Sequence, residues 1–287
     1  MPNKNTLYVD GKTFLNMPIV DTSITLEIVD IADFDAVKAK LIKLYGITAQ
    51  ATADGKKTTL GDINAAHAVS VAAQTDFKKS RYNAADALRV TARLTQEDGG
   101  CPWDKAQTHD SIRINMIEEA YEAVDAIDKK DVENMREEFG DVFLQAILHS
   151  DISKRSGEFD FDDVCDELCK KLIGRHTFIF GEDSAANPDE ALTLWEKAKG
   201  VEKHYDSVKN QLSRLPDNFP ALLLCQKTHK KLKKSGAVSD AAVELNKALA
   251  DKDYTRVIAA SVALLSDDGK DAEVELNKFV KSVIEGL

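Results

Sequence analysis

The stretch IEEAYE, residues 117–122, places three glutamates beside apolar side chains that suit helix packing. Further along the chain, REEFGDVF, residues 136–143, again combines acids with apolar positions. Charged residues at helical spacing usually form a solvated face, yet these acids adjoin residues that could enter a core. The arrangement of these acids on two helices decides both the expected fold and the expected chemistry.

A short polar segment, DKKD, residues 128–131, predicts a tight turn between two antiparallel helices. The pairs Glu119–Asp141 and Glu122–Glu138 are each symmetric about the middle of that turn, so the members of each pair should lie level. Within each helix the acids are three residues apart and therefore share a face. Four carboxylates are expected to converge at one level between the two helices.

Four carboxylates at this spacing would repel one another strongly unless a counter-charge is present. Hard divalent cations with oxygen ligands fit this requirement, which favours Mg²⁺, with Mn²⁺ as an alternative. Glu118 lies one helical turn from Glu122 and can approach the same cluster. The competing interpretation is a solvated acidic face that has Lys129, Lys130 and Arg136 as neighbours. Phe139, Val142 and Phe143 favour the cluster, because they predict a packed face beside it.

A di-iron carboxylate bundle also uses inward-facing glutamates, but it requires two Glu-x-x-His pairs. None of the six histidines has a glutamate three residues before it, so a di-iron centre is disfavoured.

The composition excludes other classes of function. The 287 residues include 38 Lys and Arg against 49 Asp and Glu, and the net charge of −11 argues against a nucleic-acid binder. No apolar run approaches the roughly 18–20 residues that span a bilayer, so we expect no membrane partner. The four cysteines form no CxxC pair and we find no signal peptide, which favours reduced thiols in a cytoplasmic protein.

The chain divides by composition into three parts. Residues 1–75 predict a small α/β appendage of unknown role. Strands are expected at residues 6–10, 13–20 and 23–31, a helix at 33–46, a polar loop at 51–62 and a helical context for His67.

Residues 76–209 and 210–287 show helical periodicity without strand signals, so the main architecture is expected to be an all-α bundle. Within it, residues 101–110 predict a loop, and Asp110 or Ser111 is expected to cap the next helix. Long helices are expected at about 132–154 and 161–176, and two helix pairs after Pro216.

Four segments together carry a family resemblance over about residues 80–200. They are GGCPWDKAQTHDSIRINMIEEAYEAVDAID (99–128), EEFGDVFLQAILHS (137–150), KLIGRHTFIFG (171–181) and LWEKAKG (194–200). Their combination closely resembles the MazG-type nucleoside triphosphate pyrophosphohydrolases of the all-α NTP pyrophosphatase superfamily. The resemblance departs at Thr177 and Phe178, where the family usually has Pro and His.

The resemblance implies a Mg²⁺-dependent enzyme that cleaves nucleoside triphosphates to a monophosphate and pyrophosphate in nucleotide-pool house-cleaning. It implies that the metal ligands are Glu119, Glu122, Glu138 and Asp141, and that Glu118 assists as a further ligand or as the group that orients or deprotonates water. It assigns phosphate contacts to Lys171 and Arg175. It further implies nucleotide contacts for Trp195, and for Trp103 and Lys105 in the loop that enters the site.

Residues 210–287 occupy the place of a second repeat of the same kind, but they cannot supply four acidic ligands. Glu244 alone stands where an acidic motif is expected, which predicts a catalytically inactive repeat kept for packing or dimerisation. Because an incomplete bundle is normally completed by pairing, we expect a homodimer. Two alternatives stay open: a non-catalytic, nucleotide-binding or regulatory helical protein, and an all-α enzyme similar to dUTPases or dCTPases.

Overall fold

The computed structural model describes residues 5–79, 81–204 and 207–287. Its contacts divide the chain into two compact units, Met1–Leu168 and Cys169–Leu287. The mainly all-α architecture with a small N-terminal α/β appendage is confirmed. Across the described ranges, no helix is sufficiently long and apolar to cross a membrane.

The N-terminal region is a five-stranded mixed sheet with the strand order β1-β2-β5-β3-β4. Strands β1 and β2 pair in parallel, and the other neighbours pair antiparallel. The sheet and its helices enclose a hydrophobic core in which Phe14, Leu26 and Val37 are fully buried. The elements are β1 (Thr6–Asp10), α1 (Gly11–Asn16), β2 (Thr25–Val29), α2 (Phe34–Tyr45), β3 (Gln50–Ala53), β4 (Lys56–Thr59) and β5 (Val69–Val71).

The expected strand at residues 13–20 is wrong, because helix α1 occupies the start of that segment. Asp10 begins the helix: its Oδ1 accepts a hydrogen bond from the backbone N–H of Thr13 at 2.9 Å. A side-chain acceptor at this position satisfies a backbone donor that the first helical turn leaves without a partner.

The polar loop expected at residues 51–62 is also wrong, since β3 and β4 form a hairpin there. Asp54 and Gly55 have φ values of 46° and 81°, the positive values that a two-residue hairpin turn requires. His67 lies in the loop before β5 rather than in a helix, and its backbone N–H donates to Asp54 Oδ1 at 3.1 Å.

Helices make up the rest of the first unit. The segment expected as a loop at residues 101–110 contains two short helices, and Thr108, rather than Asp110 or Ser111, caps the second through a reciprocal pair of hydrogen bonds with Ser111. The helices are α3 (Ala84–Thr95), α4 (Pro102–Ala106), α5 (His109–Ile112), α6 (Asn115–Lys129), α7 (Val132–Ser156) and α8 (Phe161–Arg175), which continues into the second unit.

The turn between α6 and α7 lies where the sequence predicts it. Lys130 adopts the left-handed conformation with φ of 57° and ends α6. Asp131 then caps α7, because its carboxylate accepts hydrogen bonds from the backbone N–H groups of Glu133 and Asn134. The hairpin sets the level at which side chains of α6 and α7 meet.

The described part of the second unit contains helices and no strand. Its two helix pairs after Pro216 agree with the sequence prediction. The buried Gln226 ties them together, because its side chain donates to the carbonyl of Lys270 and accepts from the N–H of Ala272. The elements are α9 (Thr177–Phe180), α10 (Pro188–Glu202), α11 (Val208–Leu212), α12 (Ala221–Lys234), α13 (Ala241–Ala250), α14 (Tyr254–Asp267) and α15 (Ala272–Glu285).

Candidate active site

Three of the predicted acids meet between α6 and α7. Glu119, Glu122 and Glu138 each offer a carboxylate oxygen, and these oxygens all lie within 4.8 Å of one another. Glu138 is buried, Glu119 is half-buried and Glu122 is exposed, so the cluster is closed on one side and open on another. Among the described residues, this is the single group of three potential metal-ligating side chains with such spacing.

Asp141 lies outside this triad but close enough to affect it electrostatically. Burial, followed by the negative charges of Asp141, Glu122 and Glu118, raises the pKa of Glu119. Burial, followed chiefly by the charges of Glu122 and Asp141, likewise raises the pKa of Glu138. The protein therefore concentrates negative charge here at an energetic cost that a bound cation would offset.

Glu118 projects from the exposed side of α6. It contributes to the electrostatic environment of Glu119 but does not belong to the triad of closest carboxylates. Its position leaves it accessible to water at the edge of the cluster.

The segment before α6 is fixed to its neighbours by close backbone packing and by a side-chain hydrogen bond to the backbone. Gly99 has φ of 70°, and the adjacent Gly100 packs against the carbonyls of Leu94 and Gln96 where a Cβ would clash. Lys105 Nζ donates to the carbonyl of Glu97 at 2.9 Å. Lys105 was predicted to contact the nucleotide. In this structure its ammonium group instead holds the backbone of the preceding segment.

Trp103, on α4, is 59% exposed. The α4 segment is also held from the other side, because Arg155 Nη1 on α7 donates to the carbonyl of Lys105 at 3.0 Å. This leaves the indole ring free to contact a ligand while its backbone stays fixed.

A histidine pair links α5 to α7. The Nδ1 atoms of His109 and His149 lie 2.7 Å apart, and His109 Nε2 lies 3.1 Å from Ser153 Oγ. Burial and the neighbouring His109 lower the pKa of His149, which favours its neutral form. The contacts of His109 are thus those of a residue that holds the loop against α7.

An open cavity of about 750 Å³ lies beside the acidic cluster in the first unit. Asp141 and Gly140 form part of its wall, so one of the four predicted metal ligands borders this largely apolar space. From the sequence, the spacing of the apolar residues in α3 predicts a helix. It does not predict that the apolar face of this helix borders a cavity. The other lining residues are Phe77, Tyr82, Asp86, Ala87, Val90, Thr91, Arg93, Leu94, Gly99, Cys101, Phe143, Leu144 and Ile147.

The remaining predicted substrate residues belong to the second unit. Lys171 is exposed, whereas Arg175 is buried and donates to both carboxylate oxygens of Glu202, at 2.7 and 2.9 Å. These hydrogen bonds lower the pKa of Glu202 to about 2. The Arg175 guanidinium also lies 5.0 Å from the centre of the Trp195 ring, a cation–π distance.

The C-terminal helices contain no comparable acidic centre among their described residues. Glu244, the one acid in the corresponding motif, accepts a 2.6 Å hydrogen bond from Arg256 Nη2. This bond and the positive charge of Arg256 lower the pKa of Glu244, so its charge is compensated without a metal.

The fold and site define a class of mainly all-α proteins with a carboxylate-rich centre between two antiparallel helices. Residues 107–180 match the model of the MazG nucleotide pyrophosphohydrolase domain. The matched region contains all five acids predicted from the sequence. It also contains Lys171 and Arg175, whereas Trp195 and the Trp103–Lys105 segment lie outside it.

Similar proteins are found in several bacteria. A nucleoside triphosphate pyrophosphohydrolase of Escherichia coli K12 is 37% identical over 144 residues, which cover 50% of this chain and 55% of the relative. A nucleoside triphosphate pyrophosphohydrolase/pyrophosphatase MazG of Thermotoga maritima is 43% identical over 104 residues, covering 36% of this chain and 39% of the relative. The chain therefore spans about half of these relatives, or less.

A solved structure of a mazG-related protein from Thermotoga maritima is 25% identical to this chain. The match covers 39% of this chain and 96% of that protein, with a TM-score of 0.35.

Proposed function

We propose that the protein hydrolyses nucleoside triphosphates to nucleoside monophosphates and pyrophosphate, as part of nucleotide-pool house-cleaning in the cytoplasm. The observation that carries this proposal is the convergence of the Glu119, Glu122 and Glu138 carboxylates within 4.8 Å of one another. The match of residues 107–180 to the MazG domain model and the names of the relatives support the choice of substrate and reaction.

The donor set fits Mg²⁺, with Mn²⁺ as an alternative, because its ligand atoms are carboxylate oxygens without sulfur or imidazole. Glu119, Glu122, Glu138 and Asp141 would hold the ion. When bound, it supplies positive charge that offsets both the carboxylates and the triphosphate, and it lowers the pKa of water. Glu118, exposed beside this set, would orient or deprotonate the attacking water.

We propose that the nucleoside occupies the apolar cavity that begins at Asp141. Phe77, Tyr82 and Phe143 offer aromatic surface to a base. The phosphate chain would then extend towards the carboxylates. Trp103 keeps the nucleotide-contact role that the family resemblance assigns it. Lys105 would take up its assigned role by exchanging the hydrogen bond to the carbonyl of Glu97 for one to the nucleotide.

The proposal also retains phosphate contacts for Lys171 and Arg175 and a nucleotide contact for Trp195. Lys171 is exposed and available to an anion. Arg175 is held by Glu202, so a direct phosphate contact must replace at least one of two charge-assisted hydrogen bonds.

We propose that the active form is a homodimer. Ile117, Tyr121 and Val124 are spaced by four and three residues along α6 and are all exposed. Ala123 and Ala126 are buried on a different face of α6, so the helix is apolar on two faces. A helix with this pattern is normally buried on both faces, and a second copy of the hairpin would cover the exposed one.

The direct test incubates the full chain with each ribonucleoside and deoxyribonucleoside triphosphate, with and without Mg²⁺, and separates the products. A monophosphate with pyrophosphate is expected; a diphosphate with orthophosphate would contradict the proposed cleavage. Stoichiometric binding without turnover would favour a regulatory protein. Turnover restricted to dUTP or dCTP would favour the enzymes specific for those nucleotides.

A further inference from the structure

A basic pocket lies within the second unit. It is an open cavity of about 600 Å³ between the end of α10, the segment 211–219 and the helices α12 and α14. This volume is within the range of about 300–1,000 Å³ that is typical of small-molecule sites. Most of its lining belongs to residues 210–287, the repeat without a predicted set of metal ligands.

One helix supplies most of the positive charge. Helix α12 contributes Lys227, Lys230, Lys231, Lys233 and Lys234 to the pocket. The first, second, third and fifth of these follow the spacing i, i+3, i+4 and i+7, which places them on one face of the helix. No Asp or Glu occurs in α12 to offset them. Like charges at this spacing destabilise a helix, so the arrangement favours an external anion.

Two further cations come from other elements, which makes the pocket three-dimensional rather than a single charged helix face. Lys199 is on α10, and Arg214 follows α11, where its Nη1 donates to the carbonyl of Lys203 at 2.7 Å. Lysines in the last turn of α12 are explained by their favourable interaction with the helix dipole. That interaction does not explain Lys199, Arg214 or Lys227, which lie outside this turn.

The acids of the pocket are too few to neutralise this charge. Glu196 lies 3.7 Å from Lys199 and 3.9 Å from Lys234, and Asp267 lies 2.7 Å from Lys233. Asp267 is also shared with His229, at 2.8 Å. Seven cationic side chains therefore face two carboxylates in a chain whose net charge is −11.

The pKa of Lys231 is consistent with an excess of positive charge in the pocket. Burial, followed by the charge of Lys199, lowers the pKa of Lys231, with further contributions from Lys234 and Lys227. Glu196 opposes the shift but does not cancel it. Within the described ranges, neither Lys227 nor Lys230 has a carboxylate at ion-pair distance.

One wall of the pocket is apolar. Leu215, Pro216 and Phe219 form it, and Lys227 Nζ lies 6.0 Å from the centre of the Phe219 ring.

We propose that this pocket binds the oligophosphate chain of a small molecule, either an inorganic oligophosphate or a nucleotide. The second unit would then bind a ligand where its sequence no longer supports catalysis.

The test measures binding of inorganic tripolyphosphate to the full chain by calorimetry at low salt with EDTA. Without divalent cations, the acidic cluster repels this ligand, so any binding there is suppressed. Lys227→Gln/Lys230→Gln should weaken binding by about tenfold or more, because charge-assisted contacts are lost. Lys56→Gln/Lys57→Gln makes the same charge change at two exposed residues of β4 and should change affinity less than about twofold.

A second comparison separates this pocket from the acidic cluster. Glu122→Gln/Glu138→Gln should bind tripolyphosphate as the unmodified chain does, so the proposal stands even where hydrolysis is not observed. Absence of binding by the unmodified chain, equal losses in both lysine pairs, or loss of binding in the glutamate variant would overturn it.

A non-hydrolysable triphosphate analogue identifies the source of the phosphate chain. Affinity equal to that of tripolyphosphate would indicate recognition of the chain alone, and tighter binding would add a nucleoside contact at the Phe219 wall. Binding of the analogue without any binding of tripolyphosphate would contradict the proposal.

Discussion

Glu122 on α6 and Glu138 on α7 present carboxylate oxygens within 4.8 Å of each other across a hairpin that turns at Lys130. One of the two residues is buried and the other is exposed. Two like charges at this separation are unfavourable unless a proton or a cation is shared between them. This relationship underlies the proposed chemistry and several measurable consequences.

Neutralising either member of this pair should strongly reduce hydrolysis while the fold persists. Glu122→Gln and Glu138→Gln each remove one charged oxygen ligand without a large change in volume, and we expect turnover to fall by about a hundredfold or more. Glu133→Gln, at an exposed position of the first turn of α7, is the matched control. Near-normal turnover of either site variant, measured beside its circular dichroism spectrum, would remove that residue from the mechanism.

Mg²⁺ should stabilise the protein through the same residues. A ligand that binds the folded state at about 100 times its dissociation constant adds about 2.7 kcal/mol, which should raise Tm by about 5 °C or more. The rise should be absent in Glu122→Gln/Glu138→Gln. Differential scanning fluorimetry with a Mg²⁺ titration measures both proteins, and an equal rise in both would place the ion elsewhere.

The pH dependence of stability in EDTA should reveal the raised pKa values of Glu119 and Glu138. Both groups have an ordinary value of 4.5, and the folded state raises it. Between the unfolded and folded pKa values the folded protein holds more protons, so its stability falls as pH rises through that window. Glu119→Gln/Glu138→Gln removes this loss. The Tm of this variant minus the Tm of the unmodified chain should therefore increase as the pH rises above 4.5. A difference that does not change with pH would contradict the raised pKa values of the two glutamates.

The Arg175–Glu202 pair should show the opposite dependence. The pKa of Glu202 is lowered to about 2, so the pair contributes stability that is present above 4.5 and is lost as pH falls towards 2. Glu202→Gln should lower Tm at neutral pH, because Arg175 is buried and loses its charged acceptor. The difference from the unmodified chain should shrink as the pH is lowered from 5 to 3. A difference that stays constant over this range would show that the pair is not the cause.

Self-association should depend on the exposed apolar stripe of α6. Tyr121→Asp introduces a charge into this stripe and should shift the protein from dimer to monomer in light scattering over a concentration series. Tyr254→Asp makes the same change at an exposed residue of α14 and should leave the dimer intact. A monomeric unmodified chain, or equal effects of the two changes, would contradict the proposed interface.

The acid spacing about residue 130 predicts that Glu119, Glu122, Glu138 and Asp141 lie level, because antiparallel helices of known pitch fix the level of each residue. The first three offer carboxylate oxygens within 4.8 Å of one another, and Asp141 lies outside that triad. Residue periodicity did not predict the short elements of the N-terminal region. There Asp10 caps α1, and the Asp54–Gly55 turn joins β3 to β4. The Asp-Gly pair was a usable hairpin signal. The cavity beside Asp141 could not be predicted, since it depends on how far apart α3 and α7 pack.

In the proposed reaction, water attacks the α-phosphorus of a triphosphate held at the α6–α7 carboxylates. Hydrolysis in ¹⁸O-enriched water with Mg²⁺, followed by ³¹P NMR of the products, shows which phosphorus receives the oxygen of water. We expect the label in the nucleoside monophosphate, with pyrophosphate unlabelled and formed in equal amount. Label in pyrophosphate or in orthophosphate would contradict it.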